Sequence, residues 1–349
     1  MKYRSQDGGD NLFAFIEHQQ KARQAQRATG IGKLSSIINW EAFRGDLEDV
    51  LGYLKRNKAK GGRPPFDPVF MFKVLVLQKF HGLSDASVEE QIADRFSFME
   101  FLGLRPGDAI PDGNTVWDFR EALDRDERKG SERLFARFDS MLEAHGLIGH
   151  EGSIIDASFL DAPRQRNTRK QNEEIKKGER PEGFEKDTPK GKQKDCEARW
   201  AKKNNETHYG FKNHAKVDAK SKLVTAGKTT AANVHDSKVF KGLVDKSDNA
   251  VFADSAYASE ESERYLLEDC DCEDFVMFKG RRGHPLSEEE KATNTLRSRI
   301  RVRVEHVFGR MSQMGMDKVR SVGIKRATQH NNLSNLVYNM DRYAFLVRG

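Results

Sequence analysis

Between Leu34 and about Ala144, apolar residues recur every three or four positions in short bursts: WEAFRGDLEDVLGYLK, DPVFMFKVLVLQKFHG, SDASVEEQIADRFSFMEFLG and NTVWDFREALDRD. That spacing predicts a set of short helices, each burying one face. Stop and start signals separate them. Gly61, Gly62, Pro64 and Pro65 break the first pair, Asp67-Pro68 supplies an N-cap with proline in the first turn, and Gly82 with Ser84 closes one helix and caps the next. Asn114-Thr115 is read as the cap of the helix carrying Trp117, Phe119 and Leu123. Residues 1–32 are polar and glutamine-rich, an arm with too few apolar positions to demand a core.

The period then changes. GSIIDASFLDA alternates, HYGFKNHAKVDAKSKLVTAGKTTA reads as an antiparallel ribbon turning at Asp218 to Lys222, and NAVFADSAYAS is a short apolar strand entering a polar loop. Helical text (HDSKVFKGLVDK, SEESERYLLEDC, and SEEEKATNTLRSRIRVRVEHVFGRMSQMG) fills the gaps, with FVMFKG as a further strand. Paired strands followed by strands alternating with helices predict a mixed α/β domain, its sheet flanked by helices. The chain therefore divides into an arm at 1–32, a helical domain at 33–148 and an α/β domain at 149–349. Within the last, residues 161–205 are almost devoid of apolar side chains and are expected to be a solvated insertion without a core.

A length of 349 residues agrees with two domains. With 37% hydrophobic and 33% charged residues, no stretch approaches the ~20 apolar positions of a membrane span. MKYRSQDGGDNLF lacks a secretory pattern, so a cytoplasmic protein is expected. Cys196, Cys270 and Cys272 suit neither a disulfide framework nor a four-cysteine zinc site and are read as free thiols. The net charge is +6, and Arg164 to Lys203 holds 14 basic against 8 acidic residues. Such an excess favours phosphate contact and makes the insertion a candidate DNA-tracking loop, although a solvated loop has the same composition.

Three acids stand where chemistry would need them. Asp156 follows Ile154 and Ile155, and Asp254 follows Ala250 to Ala253, each near the end of a strand able to project it into a crevice. Glu305 borders a helical apolar stripe of Ile300, Val304, Val307, Phe308 and Met311, and taken alone it reads as the i,i+4 partner of Arg301. Gathered together, three carboxylates raise one another's pKa unless a cation joins them, and they are the oxygen ligands that Mg²⁺ and Mn²⁺ prefer. Two such ions about 3.5–4 Å apart would activate water and stabilise both oxygens of an in-line phosphoryl displacement.

IIDASFLDAP, HYGFKNHAKVDAKSKLV, TTAANVHDS, VFADSAYAS and RVRVEHVFGRM resemble, in order and spacing, the motifs of bacterial insertion-sequence transposases of the IS-five family. The resemblance extends through GGRPPFDPVFMFKVLVLQKFHGLSD and IPDGNTVWDFREAL, and so spans roughly residues 33–345. It implies a DDE transposase with a ribonuclease H-like catalytic domain, Asp156 on the first strand, Asp254 after the fourth and Glu305 on a late helix, holding Mg²⁺ or Mn²⁺. It also implies an N-terminal helical domain that binds terminal inverted repeats, a homodimer or larger assembly on DNA, and a phosphate contact by Arg301. The chain departs from the pattern at Ser312, where relatives often carry lysine, and at Ser298, where tyrosine is expected; Arg310 is the candidate substitute for the lysine.

Other residues are drawn in by position. His208, Lys212 and His214 share one face of an extended strand and are candidates for lining a DNA groove, while a cation between two histidines argues against zinc. Asp236 is a rival acid that reads better as a helix cap. Arg63, with Lys55, Arg56, Lys58 and Lys60, makes a basic arm suited to phosphate or minor-groove contact. The segment with Asn114, Thr115 and Arg120 is preferred as the reading helix. Strand cleavage and transfer is the leading function; a transposase-derived DNA-binding protein without catalysis and a metal-dependent nuclease of the same fold are the alternatives.

Overall fold

A computed structural model describes residues 30–53 and 64–347, apart from 106, 166, 186, 204 and 282. The basic arm with Arg63 and nearly all of the N-terminal arm lie outside the described residues. The chain divides into two compact units, Met1–Arg128 and Lys129–Gly349.

The first unit is helical: α1 (Gly32–Ile37), α2 (Arg44–Val50), α3 (Pro68–Phe80), α4 (Asp85–Asp94), α5 (Phe96–Leu102) and α6 (Gly113–Leu123). Helix α3 is apolar on nearly every side and is buried accordingly, with α2, α5 and α6 against it. Trp40, Phe43, Phe72 and Phe101 form its aromatic centre; Trp40 meets Phe101 edge-on at 5.5 Å. The caps follow the sequence closely. Asp67 accepts from the N–H groups of Val69 and Phe70, and Ser84 and Ser87 close a reciprocal box at the start of α4. Helix α6 differs from expectation: Asp112, two residues earlier than Asn114, is the cap and accepts from Thr115 N–H at 2.7 Å.

The second unit begins with α7 (Gly130–Ala144), earlier than the boundary expected at 148/149. The buried stripe Leu134, Phe138 and Leu142 of α7 packs on the last helix, a contact that local text does not reveal. A six-stranded sheet follows, ordered β2 (Arg199–Lys203), β3 (Glu206–Asp218), β1 (Ser153–Asp161), β5 (Ala250–Ala253), β6 (Glu273–Val276), with β4 (Val224–Ala231) also paired to β3. Pairing is antiparallel from β2 to β1 and parallel from β1 to β6, a mixed sheet flanked by helices. Ile155, Val251, Ala253, Phe240, Tyr257 and Leu266 belong to one core cluster; Leu160, Phe211, Tyr209 and Val319 belong to another.

The expected insertion is not a bare solvated loop. It contains α8 (Arg169–Lys176), the short α9 (Pro189–Lys192) and β2, and it buries Ile175, Phe184 and Ala198. Lys190 and Lys194 cover the Phe184 ring, so a single aromatic residue is sheltered by lysine stems. Asp195 is 4% exposed and accepts from Glu197, Ala198 and Gly323 N–H groups, while Glu197 accepts from Ile324 N–H. Two acids of the insertion thus cap the last helix, and a few such anchors order a segment that composition alone assigns to solvent.

Helical text between β4 and β6 is shorter than expected, giving α10 (Ser237–Phe240) and α11 (Glu260–Arg264), the latter running into a π turn at Tyr265–Asp269. The stretch expected after residue 287 breaks at Val302 into α12 (Glu288–Arg301) and α13 (Arg303–Gln313). The closing helix α14 (Ile324–Leu346) has no counterpart in the sequence reading, because much of its sheet-facing side is asparagine. Asn331 and Asn335 bond Asn213 of β3, and Asn339 both donates to Val224 C=O and accepts from Val224 N–H. Gly227 lets α14 approach: a Cβ there would stand 2.5 Å from the Asn335 amide.

Candidate active site

Strands β1 and β5 run parallel and pair through Ser153, Ile154 and Ile155 opposite Val251, Phe252 and Ala253. The pairing stops there. Asp156 and Asp254 are therefore the next residues after the last paired ones, Asp156 still within β1 and Asp254 just past the end of β5. Asp254 ends its strand as expected, whereas Asp156 lies inside β1, still paired to Ala215 of β3. Each carboxylate accepts from the following N–H: Ala157 at 2.8 Å for Asp156, Ser255 at 2.6 Å for Asp254. The fifth strand, not the fourth, precedes Asp254, because β2 of the insertion adds one to the count.

Glu305 reaches this region through Arg301. The Arg301 guanidinium donates to Asp156 Oδ2 at 2.8 Å and to Glu305 Oε1 at 3.1 Å, so two acids 149 residues apart in sequence share one cation. The i,i+4 pair read from the sequence is present, but only as half of the arrangement. Burial pushes the Asp156 carboxyl pKa up; the Ala157 N–H, Arg301 and Lys203 pull it down, and Asp254 adds to the rise. Among the described residues, no three His, Cys, Asp or Glu side chains stand close enough together to hold a metal ion. The donor chemistry nevertheless suits a hard divalent cation, since Asp156 and Glu305 already converge on a positive charge and Asp156 feels Asp254.

The other residues singled out by sequence have different fates. Lys212 donates to Asp236 at 2.7 Å and to Val234 C=O at 2.9 Å, and is mostly buried. Asp236 makes no cap hydrogen bond to α10; its carboxylate serves Lys212, and His235 Nδ1 accepts from Ser237 N–H in its place. His214 does share the face of Lys212, but its side chain has no exposed surface, so it cannot line a DNA groove; burial holds its pKa down at about 4. His208 stacks on Phe159 at 3.9 Å and lies 3.2 Å from Asp161. Arg310 turns to Asp341 of α14 at 2.9 Å, a structural pairing that a substitute for the family lysine would have to leave. Arg120, on the preferred reading helix, forks onto Asp85 at 2.6 and 2.7 Å, which removes it from base reading.

Tyr257 is a residue the sequence reading passed over. It is 1% exposed, and its hydroxyl has no hydrogen-bond partner among the described residues. Burial pushes its pKa up, and Asp236, Asp156 and Asp254 push it the same way. The motif VFADSAYAS contained the signal, a tyrosine one turn beyond an acid at a strand end.

A family model described as the transposase DDE domain matches residues 148–340, more than half of the chain. The chain belongs to the DDE transposase family. A second model, described as a transposase domain (DUF772), matches residues 19–122 of this transposase, within its first unit. No solved structure matches the chain. The mixed sheet flanked by helices agrees with a ribonuclease H-like DDE transposase domain, and such domains generally use divalent metal ions. Among the described residues, no helix is long and apolar enough to cross a membrane.

Proposed function

We propose that this DDE transposase mobilises an insertion sequence of the IS-five type, cutting DNA at the element's terminal inverted repeats and joining the liberated 3′ ends to a target. The observation that carries the reading is the pairing of β1 with β5 up to Ile155 and Ala253, which leaves Asp156 and Asp254 side by side, with Glu305 tied to Asp156 through Arg301. Asp156, Asp254 and Glu305 would hold Mg²⁺ or Mn²⁺, two ions in all. Bound there, the metal supplies an activated water and charge stabilisation for in-line phosphoryl displacement. The protein's own part is to fix Asp156 within β1, Asp254 at the end of β5 and Glu305 on α13, to keep Asp156 in a site where burial opposes its charge, and to present Arg301 beside it. Terminal-repeat recognition falls to the helical unit, and two copies hold two element ends. The cytoplasm is the place of action.

Asp156→Asn, Asp254→Asn and Glu305→Gln keep side-chain volume while removing a negative ligand. Each should abolish nicking of supercoiled plasmid in Mg²⁺, a loss of hundreds-fold or more, with DNA binding retained or raised. Joining is measured separately with precut ends. Nicking without joining would make the protein a nuclease of this fold, and full nicking by Asp254→Asn in a folded protein would remove that residue from the site.

A further inference from the structure

The turn between β3 and β4 is clasped by two helices. Arg303 of α13 donates to Ala219 C=O at 2.7 Å, Arg342 Nε of α14 donates to Ser221 C=O at 2.7 Å, and the Tyr338 hydroxyl donates to Lys222 C=O at 2.9 Å. Within the turn, the Asp218 carboxylate accepts from the Ser221 N–H and hydroxyl. Lys222 is thereby held at φ +63°, a left-handed conformation that favours glycine or asparagine, so a lysine stands here against the preference of its backbone. Its ammonium lies 2.9 Å from His306 Nδ1. An ammonium can only donate, so His306 accepts at Nδ1 and carries its proton on Nε2. Lys222, Arg303 and Arg342 are thus bonded to carbonyls or to a neutral ring, and none has a carboxylate partner among the described residues. Burial lowers the Lys222 pKa, and Arg342 and Arg303 lower it further, as like charges held together do. The neighbouring acids are engaged elsewhere: Asp218 with Gly149 and Ser221, Glu151 with Lys220 at 2.6 Å, and Asp341 with Arg310. The repulsion among these cations is relieved by a bound anion.

We propose that Lys222, Arg303, Arg342 and the Nε2–H of His306 form a phosphate-binding site for the DNA backbone flanking the cut. Two connections fix its place. His306 adjoins Glu305 on α13, and the Ala219 N–H donates to Gly152 C=O at the foot of β1. Gly152 precedes Asp156 by four residues, roughly 13 Å of strand, which matches about four nucleotides of one DNA strand at ~3.4 Å each. The flanking position rests on Asp156 and Glu305 belonging to the cutting site; the affinity for phosphate does not.

The test is binding of the full-length protein to a labelled random-sequence duplex, read by fluorescence anisotropy in EDTA over a series of salt concentrations. Lys222→Gly suits the positive φ and should fold as wild type does. It should reduce the slope of log affinity against log salt by about 0.9, and Lys222→Gly combined with Arg303→Gln should reduce it by about 1.8. Lys220→Gln is the control: Lys220 is exposed, two residues away and paired with Glu151, so its loss removes the same charge and should leave the slope unchanged. An unchanged slope in the Lys222 variants overturns the site, and so does an equal fall in Lys220→Gln, which would mean a general field of positive charge. If the double variant does not fold, the glycine variant alone decides. Position is read on a duplex carrying the mapped nick. Neutral methylphosphonates about four nucleotides to either side should weaken binding by wild type and leave Lys222→Gly unaffected, whereas equal weakening of both overturns the flanking position. Binding is read without metal or cleavage. Nicking by Asp254→Asn would therefore remove the acid assignment and leave the slopes standing, and unchanged slopes would remove only this site.

Discussion

Asp236 offers a quantitative check, because two physical roles for it predict different energetics. As a helix cap it would act alone, and Asp236→Asn would cost at most about 0.5–2 kcal/mol regardless of what stands at position 212. The structure instead sets its carboxylate 2.7 Å from Lys212 Nζ, with 20% and 13% of the two side chains exposed. At an effective dielectric of about 20 the gross attraction at that distance is roughly 6 kcal/mol, and desolvation of both groups cancels much of it. The asparagine oxygen can still accept from Lys212, so what is lost is the charge. A coupling of about 1.5–3 kcal/mol between Asp236→Asn and Lys212→Met is expected from a mostly buried, hydrogen-bonded pair. Methionine keeps the stem that lies over the Phe159 ring, where Lys212 Nζ stands 5.5 Å from the centroid. Urea unfolding of wild type, both single variants and the double variant, in EDTA so that no metal enters, gives the cycle. A coupling below about 0.5 kcal/mol, with Asp236→Asn costing the same in both backgrounds, would refute the ion-pair account.

Asp139 should respond to pH in a defined direction. Burial, then Glu143, raises its carboxyl to about 6, so ionisation at neutral pH opposes folding and the penalty fades as pH falls from 6 towards 4. Asp139→Asn should therefore stabilise by about 1–3 kcal/mol at pH 7.5, and the gain should disappear near ~pH 4 in urea melts run across that range. Asp195→Ala removes the acceptor for three backbone N–H groups. A loss of about 2–4 kcal/mol is expected, with faster proteolysis between residues 164 and 203; unchanged cleavage would return the insertion to the status of a free loop. Asn339→Ala leaves both polar groups of Val224 without their side-chain partner and should cost about 2–4 kcal/mol by chemical denaturation, more than a surface alanine.

Several features were legible in the chain because their causes are local. Asp67 followed by Pro68, and Ser84 with Ser87, specify helix starts through contacts within a few residues. The ribbon from His208 to Ala231 turns where its polar residues fall, and alternation in GSIIDASFLDA marks β1. The strand around Asp156, the strand ahead of Asp254 and the helix around Glu305 were likewise marked by local pattern. A long-range partner is a different matter, since no local rule names it. Arg301 was read with Glu305 four residues away, but its bond to Asp156 spans 145 residues and exists only because β1 and α12 come together. Asp236 looked like a cap until β3 brought Lys212 beside it, 24 residues distant along the chain. His214 and Lys212 were placed on one face correctly, yet which face the fold covers was decided by β4 and the segment around Asp236. The insertion and α14 show the same limit from the side of composition. Apolar periodicity detects burial driven by hydrophobic surface, whereas Asp195, Asn331, Asn335 and Asn339 are buried because each finds a complementary polar group elsewhere, and that complementarity comes into being only when the chain has folded.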